Sequence, residues 1–201
     1  MINQAYCINL DHRTDRWNQV KKQFELHKMN VERISAVDGR TGAYATEGCD
    51  NYNNACTLSH IKVLKAAKAK GQKTIMVFED DVVLHKYIKK NLNDCIEDLP
   101  FGWDMLYLGG SHRKPPTKVT DNISRVHQTL TTHAYIIRIH LYDEMIERMM
   151  KLDQPVDCFF ADIQPIKQVY VTNPPLAWQR GGYSDIAHRN MEYPWLKSNE
   201  Q

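Results

Sequence analysis

The nine residues Thr74-Ile75-Met76-Val77-Phe78-Glu79-Asp80-Asp81-Val82 constrain this chain more than any other stretch. Four of the first five are apolar, and three consecutive carboxylates follow at once. A short continuous apolar run suits a strand buried on both faces, as in a parallel sheet. The carboxylates then fall at the strand's C-terminal end, where open α/β sheets bind their ligands. Three adjacent acids repel one another, and burying them unpaired is costly. A divalent cation relieves both problems. Oxygen ligands suit Mg2+ or Mn2+, which often hold substrate phosphates as well. The competing reading is an acidic turn that only ends a strand.

Apolar periodicity supplies the surroundings of this strand. Residues 4–10 and 31–37 read as strands. Between them lies a helix capped by Thr14, with Trp17, Val20, Phe24 and His27 on one face. That strand–helix–strand order predicts a parallel pair. Residues 40–54 read as a long polar loop, and a second helix starts at Ala55 or Thr57 and ends near Gly71. A third helix is expected over 85–99, stopped by Pro100. Further strands are expected over 104–108, 123–129, 134–139 and 169–171, with a helix over 141–152. Residues 157–162 read only as a mixed aromatic and acidic segment. The alternation predicts an α/β fold in one domain, residues 1–201.

Composition excludes more than it assigns. A net charge of +2 is too small to imply nucleic acid or an anionic membrane surface. No apolar run approaches the ~20 residues of a membrane span. The N-terminus shows no signal-peptide pattern, so a cytoplasmic location is expected. Five cysteines without a CxxC favour reduced thiols over a disulfide framework or a zinc site. Cys7 and Cys56 sit in apolar settings and are assigned to the core.

Polar groups follow several predicted strands directly. They are Asp11, Arg13 and Arg16 after the first, Asp38 and Gly39 after the second, the acidic triplet after the third, and Gly109-Gly110 after the fourth. On parallel strands all would open on one sheet edge. Such a set resembles a nucleotide crevice: Arg for phosphate or base, a carboxylate for ribose hydroxyls, and a metal for the diphosphate. There is no Walker A sequence, no GxGxxG and no GxSxG elbow.

The stretch 7–16, containing Asn9, Leu10, Arg13 and Arg16, resembles the opening of glycosyltransferase family 25. Ala36-Val37-Asp38-Gly39, Cys56-Thr57-Leu58-Ser59-His60 and Phe78-Glu79-Asp80-Asp81 match in the same order. Trp103-Asp104, Leu108-Gly109, Thr132-His133-Ala134-Tyr135, Pro155-Val156-Asp157, Gln179 and Ser184-Asp185-Ile186 follow. Departures are Ala55, Thr57, Phe159 and Phe160. The resemblance implies a GT-A-type, Rossmann-like α/β/α sandwich with a mixed sheet. It also implies transfer of a hexose from a UDP-sugar, UDP-galactose in the first place, to a glycan or protein hydroxyl with inversion. The implied cation is Mn2+ or Mg2+.

Roles carried over from that resemblance are these. Asp81 is the metal ligand, with Glu79 or Asp80 touching ribose or a water beyond the metal's own ligands, and His188 as a late-chain metal ligand. Arg13 and Arg16 bind nucleotide phosphate or base, and Asp38 binds uridine. Asn9, Leu10, Ser59 and His60 belong to the donor-binding motifs. Asp157 is the base, with Asp162 as runner-up. Two other classes compete. A nucleotidyltransferase would carry a Gly- and Arg-rich first loop, which this chain lacks. A catalytically silent nucleotide-sugar or carbohydrate-binding domain would have lost a carboxylate that is present here.

Overall fold

The apolar runs form a single eight-stranded sheet flanked by helices on both faces. The computed structural model describes residues 2 and 4–193. In chain order the elements begin with β1 (Gln4–Asn9), α1 (Thr14–Leu26), β2 (Val31–Ser35), α2 (Asn51–Ala69), β3 (Thr74–Glu79) and β4 (Val82–Leu84). Next come α3 (Ile88–Asp98), β5 (Met105–Tyr107), β6 (Ser111–Lys114), β7 (Thr117–Lys118), β8 (Ile123–Arg125), β9 (Gln128–Leu130) and β10 (Ala134–Arg138). Last are α4 (Tyr142–Met149), α5 (Val156–Ile163), β11 (Val169–Thr172), β12 (Ala177–Gln179), β13 (Gly182–Ser184) and β14 (Arg189–Met191).

The sheet order is β2-β1-β3-β10-β5-β11-β8-β7. β1 lies parallel to both β2 and β3, and β5 lies parallel to β11. β10 inserts between β3 and β5 and runs antiparallel to both. The carboxyl ends of β1, β2, β3 and β5 therefore open on one edge. This is the α/β/α sandwich with a mixed sheet expected from the sequence.

Side-chain alternation along the strands builds the two cores. Tyr6, Ile8, Ile75, Val77, Tyr135 and Ile137 face α2, α4 and α5. Cys7, Met76, Phe78, Ala134 and Ile136 face α1 and α3. Burial on both sides explains why β3 and β10 are almost wholly apolar.

Several local expectations need correction. Thr14 does not cap α1; Arg13 holds that position without a side-chain cap bond. α2 begins at Asn51, before Ala55 or Thr57, because Asp50 accepts from the Tyr52 and Asn53 amides at 2.9 Å each. At its other end Gly71 has φ +64° and closes a Schellman motif, with its amide on Lys68 O and that of Gln72 on Ala67 O. The run 123–129 divides into β8 and β9, because β8 pairs with β11 and β9 pairs with β6. Residues 157–162 lie within helix α5, whose buried face is Val156, Phe159, Phe160 and Ile163.

Candidate active site

At the carboxyl edge of β1, β2 and β3 lies a cleft of about 520 Å³. Asn9, Leu10, Arg13, Arg16, Asp38, Ser59, Glu79, Asp80, Asp81 and His188 all line it. Those that end or follow β1, β2 and β3 meet because parallel strands end together; Arg16 comes from α1, Ser59 from α2 and His188 from the turn between β13 and β14. The last segment of the described chain completes the wall. β12 pairs antiparallel with β4 directly after the acidic triplet, bringing Gln179 to the cleft.

Each carboxylate of the triplet has different surroundings. Asp80 accepts from Asn9 Nδ2 at 2.7 Å and from Arg16 at 2.8 Å. Burial nevertheless holds its carboxyl above the usual value, against the pull of Arg16 and Asn9. Glu79 accepts from Thr132 Oγ1 at 2.7 Å, and His60 Nε2 lies 3.3 Å from the same oxygen. Burial raises Glu79, but His60 and Thr132 outweigh it and the carboxyl ends below its usual range. Asp81 accepts from Gln179 Nε2 at 3.0 Å, while its Oδ1 is buried with no hydrogen-bond partner. Burial first, then the charge of Glu79, pushes Asp81 up to about 7. The orphaned Asp81 oxygen is a hard donor of the kind a divalent cation takes, although among the described residues the three carboxylates do not bring their oxygens together as Cys56, His60 and Glu79 bring theirs.

The cations of the cleft are held in place. Arg16 spans Asp80, Asp81 at 3.6 Å and the Tyr183 carbonyl at 2.6 Å. Arg13 pairs with Asp15 at 3.0 Å and with Asp185. Asp38 is held low, at about 2, by hydrogen bonds from Arg40. Ser59 accepts from the Val37 amide and donates to Ala55 O, both at 2.8 Å. Its hydroxyl thereby ties the loop after β2 to α2. His188 packs edge-on against Tyr52, with ring centroids 4.2 Å apart.

Three sequence-predicted residues lie outside the lining. His60 is fully buried behind the cleft, against Glu79 and Tyr135. Asp162 is exposed near the end of α5 and accepts from Gln154 Nε2 at 2.7 Å. Asp157, half-buried in the first turn of α5, accepts from the Thr131 amide at 3.2 Å. Thr132, the next residue, is the one bonded to Glu79. Thr131 itself has φ +70°, rare for a β-branched residue, and its buried hydroxyl has no partner. One strained residue therefore joins Asp157 to the acidic triplet, which sets Asp157 apart from Asp162. Cys56, assigned to the core from sequence, is only partly buried and lines the cleft. Thr132 as a Glu79 ligand had no signal in the sequence beyond its family motif.

This arrangement defines an α/β sandwich whose acidic and basic side chains converge on a cleft at one sheet edge. The sequence profile of glycosyltransferase family 25 (LPS biosynthesis protein) matches residues 2–160, and the chain belongs to that family. It is 26% identical over 129 residues to procollagen galactosyltransferase 1-A of Xenopus laevis, covering 54% of this chain and 21% of that protein. It is 28% identical over 139 residues to the probable inactive glycosyltransferase 25 family member 3 of Rattus norvegicus, covering 59% and 24%. The matched regions thus span less than a quarter of these relatives. Among solved structures, A197 from STIV superposes with a TM-score of 0.51 at 11% identity, over 95% of this chain and 93% of that one. That likeness concerns the fold alone. Among the described residues, no helix is long and apolar enough to cross a membrane.

Proposed function

We propose that this chain is a metal-dependent glycosyltransferase. It moves a hexose, galactose in the first place, from a UDP-sugar to a glycan or protein hydroxyl with inversion. The observation that carries this reading is the acidic triplet at the end of β3, with a buried, unpartnered Asp81 oxygen in a cleft that also holds Arg13, Arg16 and Asp38. The name of the Xenopus relative supports galactose as the donor sugar.

Asp81 would hold Mn2+ or Mg2+, with Glu79 or Asp80 touching ribose or a water beyond the metal's own ligands, and His188 is the further ligand proposed for it. Such an ion, when bound, neutralises charge on a departing diphosphate. The chain's own groups supply the rest. Arg13 and Arg16 bind the nucleotide's phosphate or base, and Asp38 accepts hydrogen bonds from uridine. Asn9 and Leu10 form the floor at the end of β1. Ser59 and His60 act through what they hold: Ser59 the loop bearing Asp38, His60 the Glu79 carboxylate. Asp157 takes the proton of the attacking hydroxyl as general base, with Asp162 as the alternative.

The test is incubation with UDP-galactose, Mn2+ and an acceptor panel, reading UDP release, beside calorimetry of UDP with and without Mn2+. Metal-dependent binding and turnover are expected. Binding without turnover on any acceptor would favour the second reading, a catalytically silent nucleotide-sugar or carbohydrate-binding domain. That reading has the rat relative's name in its favour. Absence of any nucleoside diphosphate binding would remove the transferase and the nucleotide-sugar-binding reading, leaving only carbohydrate binding.

A further inference from the structure

We infer that Cys56, His60 and Glu79 form a second metal site, selective for a borderline transition-metal ion such as zinc and distinct from the oxygen-donor site at Asp81. The ligand atoms of these three residues lie within 4.8 Å of one another. Zinc bonds of about 2.0–2.3 Å place tetrahedral ligand atoms roughly 3.3–3.8 Å apart, so closing the set takes about an ångström of side-chain adjustment. Cys56 and His60 are one turn apart on α2 and project from the same face. Glu79 reaches them from the end of β3. All three therefore stand on regular elements.

The imidazole points to a ligand independently of the cluster. His60 is fully buried, and its Nε2 pairs with Glu79 Oε1 at 3.3 Å without making a hydrogen bond of good geometry. Leaving such an atom unsatisfied costs about 1–3 kcal/mol, and a metal ion at Nε2 would account for it. The other ring nitrogen, Nδ1, lies 2.9 Å from the Tyr135 hydroxyl. That is the outer contact by which proteins orient a metal-binding histidine. Cys56 and Glu79 both line the cleft, so an ion has a route in. Sulfur, nitrogen and carboxylate donors suit zinc and not Mg2+ or Mn2+, whereas Asp81 offers oxygen alone. Burial, then Glu79 and Asp157, keep the Cys56 thiol well above the usual thiol range. Binding must therefore displace the thiol proton to solvent as the sulfur–metal bond forms. The absence of a CxxC hid the site, because its ligands come from a helix turn and a distant strand.

The experiment is a cobalt(II) titration of the full chain without nucleotide or acceptor, read in the near ultraviolet. A thiolate-to-cobalt charge-transfer band should saturate at one ion per chain and vanish on adding zinc. Cys56→Ser should lose it, while Cys158→Ser and Asp81→Ala keep it. In the unsubstituted protein, zinc should slow alkylation of Cys56 roughly tenfold or more, mapped by peptide mass. That measurement decides the matter even if Cys56→Ser fails to fold. No thiolate band, a band that survives in folded Cys56→Ser, or zinc protection falling on Cys158 would overturn the site.

Discussion

Arg16 and Asp80 are 64 residues apart in the chain and 2.8 Å apart in the structure. The guanidinium also lies 3.6 Å from Asp81, so α1 supplies the positive charge that lets two buried carboxylates stand side by side. Both partners are mostly shielded, with side chains 18% and 10% exposed. Removing one member of such a pair leaves an uncompensated buried charge.

Arg16→Met should therefore destabilise the metal-free protein by on the order of 3 kcal/mol. Added Mn2+ should recover part of that loss by replacing the missing charge. Urea denaturation of both proteins, with and without Mn2+, checks this. A loss that Mn2+ leaves untouched would mean the carboxylates do not hold the ion.

Asp81 gives stability a pH dependence of definite sign. Its carboxyl is raised from near 3.8 to about 7 in the folded chain. Between these values the folded state keeps a proton that the unfolded state has released, so stability falls as pH rises. The contribution is complete below the lower value and lost through the upper one. Its ceiling is on the order of 4 kcal/mol, reduced by sharing with Glu79. Metal-free Asp81→Asn should match wild type near about pH 4 and exceed it near about pH 8 in urea melts. The same variant should lose Mn2+-dependent UDP binding, measured by calorimetry.

Asp157 and Asp162 separate cleanly by position. Asp157→Asn should lower turnover by ~10²–10⁴-fold while leaving UDP-sugar affinity near wild type. Asp162→Asn, at an exposed site bonded to Gln154, should change little. Steady-state kinetics with matched binding isotherms on both variants gives the answer. The reverse pattern would move the base to Asp162.

Gly109 follows β5, where a Cβ would meet the Ala177 carbonyl oxygen at 2.0 Å. That oxygen belongs to the backbone of β12, which is fixed by pairing to β4. Gly109→Ala should cost about 1–3 kcal/mol, as overpacking does, and shift Gln179 away from Asp81. Thermal melting with a Mn2+ titration measures both effects. An unchanged melting temperature would show that β12 can give way.

The sequence by itself determined the strands β1, β3 and β10, the order of strand and helix, and the acidic end of β3. Those features are local: a period of two or an apolar run bounded by charge is readable wherever it lies. It also determined the family, through short motifs kept in order, and most of the cleft, because residues that end parallel strands must gather. What only the tertiary structure decided was partnership. Asn51 ends the loop 40–50 early by bonding Gly42 O and the Ala45 amide, which no periodicity announces. Residues 123–130 divide because two different sheets claim them. Thr132 on Glu79, Arg16 on Asp80, and Cys56 beside His60 and Glu79 depend on which atoms long-range packing brings within about 3–5 Å. A sequence specifies that a carboxylate needs a partner; only the folded chain, choosing among many donors of similar chemistry, specifies which one it has.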